Sequence, residues 1–96
     1  AKNPILIVEV ISPESATYDR GDKFEKYRQI ETFCEYVLIA QHRPFVEVFF
    51  KPENSSFWQY TPYQSLNDVI VLNSIEVTLS LEDLYFGVVF PPLPQD

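Results

Sequence analysis

One carboxylate lies inside a run of apolar residues, where its chemistry would be unusual. Glu9 follows Ile7 and Val8 and precedes Val10 and Ile11. An ionised carboxylate in a buried strand costs several kcal/mol unless it is paired, protonated or bound to a metal. Taken alone, such a glutamate more often lies at a strand end and reaches solvent or an ion-pair partner. A functional role for it therefore needs a second observation.

A lysine on the next predicted element supplies that observation. Lys23 falls in the first turn of a predicted helix, on the same face as Tyr27 four residues later. A single lysine more often covers the core with its stem and reaches water, and an ammonium there is unfavourable to the helix dipole. Together with Glu9 it suits phosphodiester hydrolysis. A carboxylate-held metal polarises the phosphate, and the ammonium offsets charge on the phosphoryl oxygens.

Three elements would position these groups. Residues 4–11 are mostly β-branched and predict a strand buried on both faces. Asp19 is the predicted N-cap of a helix over about residues 20–31. Residues 35–40 predict a second buried strand, parallel to the first if the helix is a crossover. The positions expected to face the sheet from the helix are Phe24, Tyr27 and Ile30.

The remainder of the chain predicts antiparallel strands and a short helix. The strand candidates are 45–51, 57–63, 68–72 and 75–79, with Pro62 indicating an edge or a bulge. Ser80 is the predicted N-cap of the short helix, and Gly87 is predicted to close it. The expected fold is therefore α+β, a mixed sheet with one main helix. We expect one domain over residues 1–90, followed by a proline-rich tail over 91–96.

Composition excludes several classes of function. The chain has 96 residues, one cysteine, one histidine and two glycines. These numbers rule out an internal disulfide, a Cys/His zinc site, a P-loop and a dinucleotide-binding fingerprint. No apolar run is long enough to span a bilayer and the start does not resemble a signal peptide, so a cytoplasmic protein without membrane contact is expected.

Charge is unevenly distributed along the chain. The net charge is 7 − 14 = −7, and residues 31–96 carry all of it, with two cations and nine acids. Residues 1–30 are neutral and hold five of the seven cations. An acidic body disfavours non-specific nucleic-acid binding. An anionic partner should therefore approach the first third of the chain.

Residues 3–51 carry a pattern that resembles a known family. The pattern runs Glu9-Val10-Ile11-Ser12-Pro13, then Tyr18-Asp19-Arg20-Gly21-Asp22-Lys23-Phe24 with Tyr27-Arg28, then Glu35-Tyr36. It resembles the Uma family of restriction endonucleases, a branch of the PD-(D/E)XK nuclease superfamily, in a form typical of cyanobacterial members. The later strands and the segment 80–87 also resemble the family. The resemblance implies a restriction-endonuclease-like fold and metal-dependent cleavage of DNA.

The resemblance also implies roles for single residues. Glu9 would be the acidic residue of the (D/E)XK element and a metal ligand, and the backbone carbonyl of Val10 a second ligand. Ile11 stands where the superfamily usually carries lysine, which points to Lys23 as its replacement. Such an oxygen-rich site suits Mg²⁺ or Mn²⁺. The supporting or DNA-contacting residues would be Ser12, Asp19, Arg20 and Tyr27.

One departure from the family bears on activity. The superfamily's other metal-binding aspartate lies on a strand before the one that carries Glu9, and this sequence begins just ahead of that strand. We therefore expect an incomplete site and exposed apolar surface, which favours a homodimer or association with the missing segment. The alternative function is a catalytically incomplete, nuclease-like scaffold for protein interaction. Its sequence support is aromatic content, 15 of 96 residues, although core packing explains most of these.

Two other catalytic hypotheses have weaker support. Glycoside hydrolysis needs a second carboxylate beside Glu9, and the sequence singles out none. A Ser12–His42 hydrolase pair needs a positioned base, whereas His42 lies in a predicted exposed turn. Cys34 begins a predicted buried strand and is expected to be an inert core thiol.

Overall fold

The first two strands run parallel, as a strand–helix–strand crossover requires. In the computed structural model, which describes residues 5–90, β1 (Ile5–Ile11) pairs with β2 (Phe33–Ala40). β3 (Val46–Phe50) and β4 (Gln59–Tyr63) follow antiparallel, in the order β1-β2-β3-β4. The predicted α+β class and mixed sheet are confirmed. Pro62 lies on β4, an edge of this sheet, where a missing N–H is tolerated.

A second, smaller sheet completes the described part of the chain. β5 (Val69–Leu72) and β6 (Val77–Ser80) form an antiparallel hairpin, and α3 (Leu81–Leu84) follows directly. The Ser80 hydroxyl accepts a hydrogen bond from the amide of Asp83 at 3.0 Å, which confirms the predicted cap. The predicted start of the first strand at residue 4 and the predicted tail over 91–96 lie outside the described residues.

The helical crossover differs from the prediction. Two short helices, α1 (Ala16–Arg20) and α2 (Asp22–Tyr27), replace the single helix expected over 20–31. Ser12 and Ser15 form reciprocal side-chain-to-backbone hydrogen bonds at 3.0 and 3.2 Å, and this turn starts the helical segment early. The backbone at Gly21, with φ −103° and ψ −93°, separates the two helices.

The sequence predicted Asp19 as an N-cap, and this prediction is wrong, because Asp19 lies inside α1 and is buried. Ser15 precedes α1 and makes no side-chain cap bond. Ile30 lies beyond the end of α2 and is 40% exposed, so its predicted contact with the sheet is also wrong. Phe24 is buried and Tyr27 is partly buried, as predicted.

The helices cover one face of the sheet with aromatic side chains. Phe24 stacks on Tyr36 with ring centroids 5.0 Å apart and meets Phe49 and Trp58 at the same distance. Phe33 packs edge-on against Phe24 at 6.1 Å. Ring pairs at these separations add attraction to the buried area. They hold the short helices against the strands that carry the candidate site.

The β5–β6 hairpin and α3 cover the other face. Val37, Val46 and Val48 alternate along their strands with the aromatic-side residues, and they pack against Ile70 and Leu81. Glu35, fully buried, accepts hydrogen bonds from both backbone amides and the hydroxyl of the residue pair Asn73-Ser74 at 2.6–3.1 Å. This carboxylate thereby fastens the hairpin turn to β2.

β1 is not buried on both faces, which corrects the sequence prediction. Val8 is 46% exposed and Val10 is 60% exposed. β1 is an edge strand of the described sheet, and the β5–β6 hairpin and α3 pack mainly on β2 and β3. An apolar run predicts a strand, but it does not report whether another layer covers each face.

Candidate active site

Both oxygens of Glu9 are held by side chains from α2. The Tyr27 hydroxyl donates to Oε1 at 2.8 Å, and the Lys23 ammonium lies 3.1 Å from Oε2. Glu9 is on the helix-covered face of β1 and its side chain remains 22% exposed. The structure thus brings together the carboxylate and the lysine that the sequence singled out, with Tyr27 as a third member.

A second carboxylate lies behind the lysine. Asp19 Oδ1 is 3.4 Å from Lys23 Nζ, across the break at Gly21, and its side chain is only 5% exposed. The Tyr36 hydroxyl donates to the Asp19 carbonyl at 2.9 Å, which fixes this end of α1 over β2. Lys23 therefore bridges one partly exposed and one buried carboxylate.

Hydrogen bonds to Glu9 raise the pKa of both Lys23 and Tyr27. The hydrogen bond from Lys23 to Glu9 raises the pKa of the ammonium above its ordinary value, against the opposing effect of desolvation. The hydrogen bond to Glu9 also raises the pKa of the Tyr27 hydroxyl, with burial adding to it. Near neutral pH, Lys23 is a cation and Tyr27 is a neutral donor.

Val10 and Ser12 follow Glu9 closely in the sequence, and their polar groups have different surroundings. The Ile11 carbonyl accepts from the Gln41 amide on the β2 side. Because carbonyls of successive strand residues point to opposite sides, the Val10 carbonyl points towards the edge of β1 that has no partner strand within residues 5–90. The Ser12 hydroxyl is engaged with the backbone amide and hydroxyl of Ser15.

Arg20 is committed to a contact that the sequence analysis did not predict. Its guanidinium holds the carboxylate of Glu47, with Nε 3.0 Å from each oxygen and Nη2 2.6 Å from Oε2. The Tyr60 hydroxyl donates to Oε1 of the same carboxylate at 2.7 Å. Glu47 is buried between Val46 and Val48, the same acid-among-valines pattern that singled out Glu9. That signal was present in the sequence.

The oxygen donors around Glu9 are of the kind that binds a divalent metal ion. Glu9 and the Val10 carbonyl supply hard oxygen donors, the type that Mg²⁺ and Mn²⁺ prefer. Within residues 5–90, no group of three or more His, Cys, Asp or Glu side chains could hold a metal. Mg²⁺ is commonly bound through one or two carboxylates, with water and substrate phosphate completing its shell. The residues fit such a partial site in their chemistry.

The positive charges of the described segment all have contacts within the chain. Besides Lys23 and Arg20, these contacts are Lys26 with Tyr18, Arg28 over Phe24, Arg43 over Phe45, and Lys51 with Ser55. A bound phosphate would share these cations with partners that they already have. This arrangement agrees with the weak nucleic-acid preference expected from the net charge of −7.

The alternative pair of Ser12 and His42 does not form. Ser12 hydrogen bonds to Ser15, and His42 Nδ1 is buried without a hydrogen-bond partner, so the two residues make no nucleophile–base pair. Cys34 is partly buried in β2, and burial raises the pKa of its thiol, as expected for an unreactive cysteine. Within residues 5–90, no helix is long and apolar enough to cross a membrane.

A family model and known proteins have sequences similar to this chain. Residues 1–82 match the family model described as "Uma2: Putative restriction endonuclease". Uncharacterized protein slr1290 of Synechocystis sp. is 31% identical over 87 residues, covering 91% of this chain and 45% of that protein. Uncharacterized protein sll1609 of the same organism is 49% identical over 39 residues, covering 41% of this chain and 22% of that protein. The chain spans less than half the length of these relatives.

Proposed function

The chain belongs to the Uma2 family of restriction endonucleases, and from this premise we propose that its protein hydrolyses DNA phosphodiester bonds with a divalent metal. The observation that carries the proposal is the contact between Glu9 and Lys23 at 3.1 Å on the exposed end of a strand–helix crossover. A carboxylate and an ammonium in this position match the two roles that the reaction needs.

Glu9 and the Val10 carbonyl would hold Mg²⁺ or Mn²⁺. When bound, the metal supplies Lewis acidity towards the phosphate and lowers the pKa of water. The 22% exposure of the Glu9 side chain leaves room for solvent and substrate. The Tyr27 hydroxyl donates to its Oε1, which orients the carboxylate that would hold the metal.

Lys23 would stabilise charge on the phosphoryl oxygens. Its side chain is 30% exposed, and two carboxylates keep the ammonium protonated. Asp19 is too deeply buried to reach substrate and would hold the lysine in place. Ser12 and Arg20 are expected near the path of the DNA backbone only as supporting residues, since both side chains are already hydrogen bonded.

A second candidate function is supported by the exposed apolar residues. Val8 and Val10 are exposed on the edge strand, and Phe57, Phe86 and Val89 are 79%, 86% and 90% exposed. Apolar surface of this kind suits a protein-interaction scaffold or a homodimer. Under this alternative the Glu9–Lys23 pair is an ion pair of the fold and has no catalytic role.

A plasmid-nicking assay distinguishes the two functions. The native protein is incubated with supercoiled plasmid and Mg²⁺, Mn²⁺ or a chelator. We expect nicking with either metal, none with the chelator, and nicking slower by about a hundredfold or more in Lys23→Met, the scale of losing one group that stabilises transition-state charge. Lys26→Met is the matched control, because Lys26 lies on the same helix and contacts Tyr18; its nicking rate should stay close to that of the wild type.

The opposite result would overturn the nuclease proposal. If the native protein binds neither metal by calorimetry and leaves the plasmid intact, the scaffold function stands. Sedimentation at increasing concentration would then show whether a homodimer forms. Equal nicking by Lys23→Met and the wild type would remove Lys23 from the mechanism, even if the protein is a nuclease.

A further inference from the structure

The Glu9–Lys23 contact has a counterpart two strands away, the ion pair of Glu47 with Arg20. Leu38 pairs with Glu9 on one side and with Glu47 on the other. Paired residues of neighbouring strands point to the same face, so the two carboxylates lie on the helix side, roughly 10 Å apart by strand spacing. Each carboxylate accepts a tyrosine hydroxyl, from Tyr27 or Tyr60, and each meets a cation from the α1–α2 segment.

The two contacts differ in strength. The Glu9–Lys23 pair joins side chains that are 22% and 30% exposed, and an ion pair between exposed groups holds its geometry weakly. Glu47 is only 3% exposed, and Arg20 holds it with a forked set of hydrogen bonds. Forked guanidinium–carboxylate pairs fix both distance and orientation. The Glu47 contact is therefore the firmer anchor.

The helical segment needs such an anchor. α1 has five residues and α2 has six, far below the length at which a helix is stable by itself. Arg20 is the last residue of α1, and Lys23 follows three residues later across Gly21. The position of Arg20 on the sheet consequently fixes where the lysine can reach.

We propose that Arg20, Glu47 and Tyr60 form a positioning network that holds Lys23 at Glu9. The Tyr60 hydroxyl orients the Glu47 carboxylate, the carboxylate fixes the guanidinium, and the guanidinium fixes the junction between the helices. None of the three residues contacts Glu9 or Lys23 through an observed hydrogen bond or ion pair, so their effect is on placement. The effect on turnover rests on the proposed nuclease function, whereas the effect on Lys23 placement does not.

Arg20→Met tests the placement directly. The readout is the ¹H–¹⁵N NMR signal of the Lys23 ammonium, recorded in mildly acidic, cold solution. The signal is assigned to Lys23 because it is absent in Lys23→Met. An ammonium held in an ion pair exchanges slowly and gives a sharp signal. We expect the signal to broaden beyond detection in Arg20→Met, with the amide spectrum still dispersed, and to return partly in Arg20→Lys. Arg28→Met is the matched control, since Arg28 lies over the Phe24 ring and should leave the Lys23 signal sharp.

Two further variants keep the test decisive. If Arg20→Met does not fold, Glu47→Gln and Tyr60→Phe weaken the same network more mildly, and each should broaden the Lys23 signal. A control for general destabilisation is Glu35→Gln, because the Glu35 carboxylate binds the hairpin turn rather than the helical segment. A sharp Lys23 signal in every folded variant of the network would overturn the proposal.

Turnover provides an independent arm. If the protein cleaves DNA, Arg20→Met should lower kcat by tens of fold with KM unchanged, since a misplacement of about 1 Å costs about 10²-fold. A change in KM alone would assign Arg20 to DNA binding and contradict the positioning role. If no form cleaves DNA but the Lys23 signal responds as expected, the nuclease function fails and the positioning network stands.

Discussion

Replacing Glu35 with glutamine should destabilise the protein, although it removes a buried charge. The carboxylate is 0% exposed and accepts three hydrogen bonds from Asn73 and Ser74. The amide of the substituted side chain can keep the two bonds on one oxygen, but its NH₂ group then faces the Asn73 amide. One bond to a charged acceptor, worth about 1.5–3 kcal/mol, is lost, and the other two weaken to about 0.5–1.5 kcal/mol each.

The cost of burying the Glu35 charge opposes this loss of hydrogen bonding. The wild-type fold must desolvate the carboxylate, which costs several kcal/mol, and the neutral amide avoids part of that cost. Because two of the three donors are backbone amides held in a tight turn, we expect the hydrogen bonds to prevail. The net loss should be about 2 kcal/mol in the free energy of unfolding, on the scale of one lost bond to a charged group. For a domain of this size that lowers Tm by about 8–16 °C.

Thermal and urea unfolding of the two proteins measure the difference. Glu53→Gln is the matched control, because Glu53 is exposed and its change should stay within about 0.5 kcal/mol. A Glu35→Gln protein as stable as the wild type, or more stable, would refute the reasoning. It would mean that desolvation exceeds the hydrogen bonding and that the carboxylate does not fasten the hairpin.

Three more predictions concern single groups near the sheet. Tyr27→Phe removes the donor to Glu9 and should slow single-turnover cleavage about tenfold, the equivalent of about 1.4 kcal/mol. Tyr18→Phe is the control. Equal cleavage rates in Tyr27→Phe and the wild type would contradict the orienting role of Tyr27. Four tyrosines have a raised pKa, so in absorbance titration they should ionise at higher pH in the folded protein than in the urea-unfolded one. Since the native state retains protons that the unfolded state releases, the stability that these groups contribute is present below about pH 10 and falls as the pH rises through the native pKa values, which for Tyr60 is about 12. Coincident folded and unfolded titrations would contradict this expectation, which concerns Tyr27, Tyr36, Tyr60 and Tyr85. Burial raises the pKa of the Cys34 thiol, so iodoacetamide should alkylate it more slowly at neutral pH than a free cysteine; an equal rate would show that the thiol is accessible.

Local patterns were sufficient to predict the strands and to single out Glu9 and Lys23, which the structure brings into contact. Strong apolar runs identified β1 and β2, and a helical crossover between them would make them parallel, as the structure shows. Glu9 was conspicuous because an acid among β-branched residues must find a partner. The same test applied to Val46-Glu47-Val48 would have found the second carboxylate.

Features that depend on distant residues could not be predicted from local patterns. The partners of Glu35 lie 38 and 39 residues away, and no spacing rule connects them. The helix boundary failed for a different reason, since the Ser12–Ser15 turn and the Gly21 backbone compete with a continuous helix. The exposure of Val8 and Val10 depends on which layers cover β1 and is also not local.

The most direct test of the nuclease account is the rate of metal-dependent plasmid nicking by Glu9→Gln. This variant keeps the shape of the side chain and a hydrogen-bond acceptor for Tyr27, but removes the charge that would bind the metal. With Glu53→Gln as the control, the account predicts that nicking is slower by about a hundredfold in Glu9→Gln, the upper end of what loss of a partner at a metal site costs, and is unchanged in the control. Equal nicking by Glu9→Gln and the wild type would contradict the assignment of Glu9 as the metal-binding carboxylate.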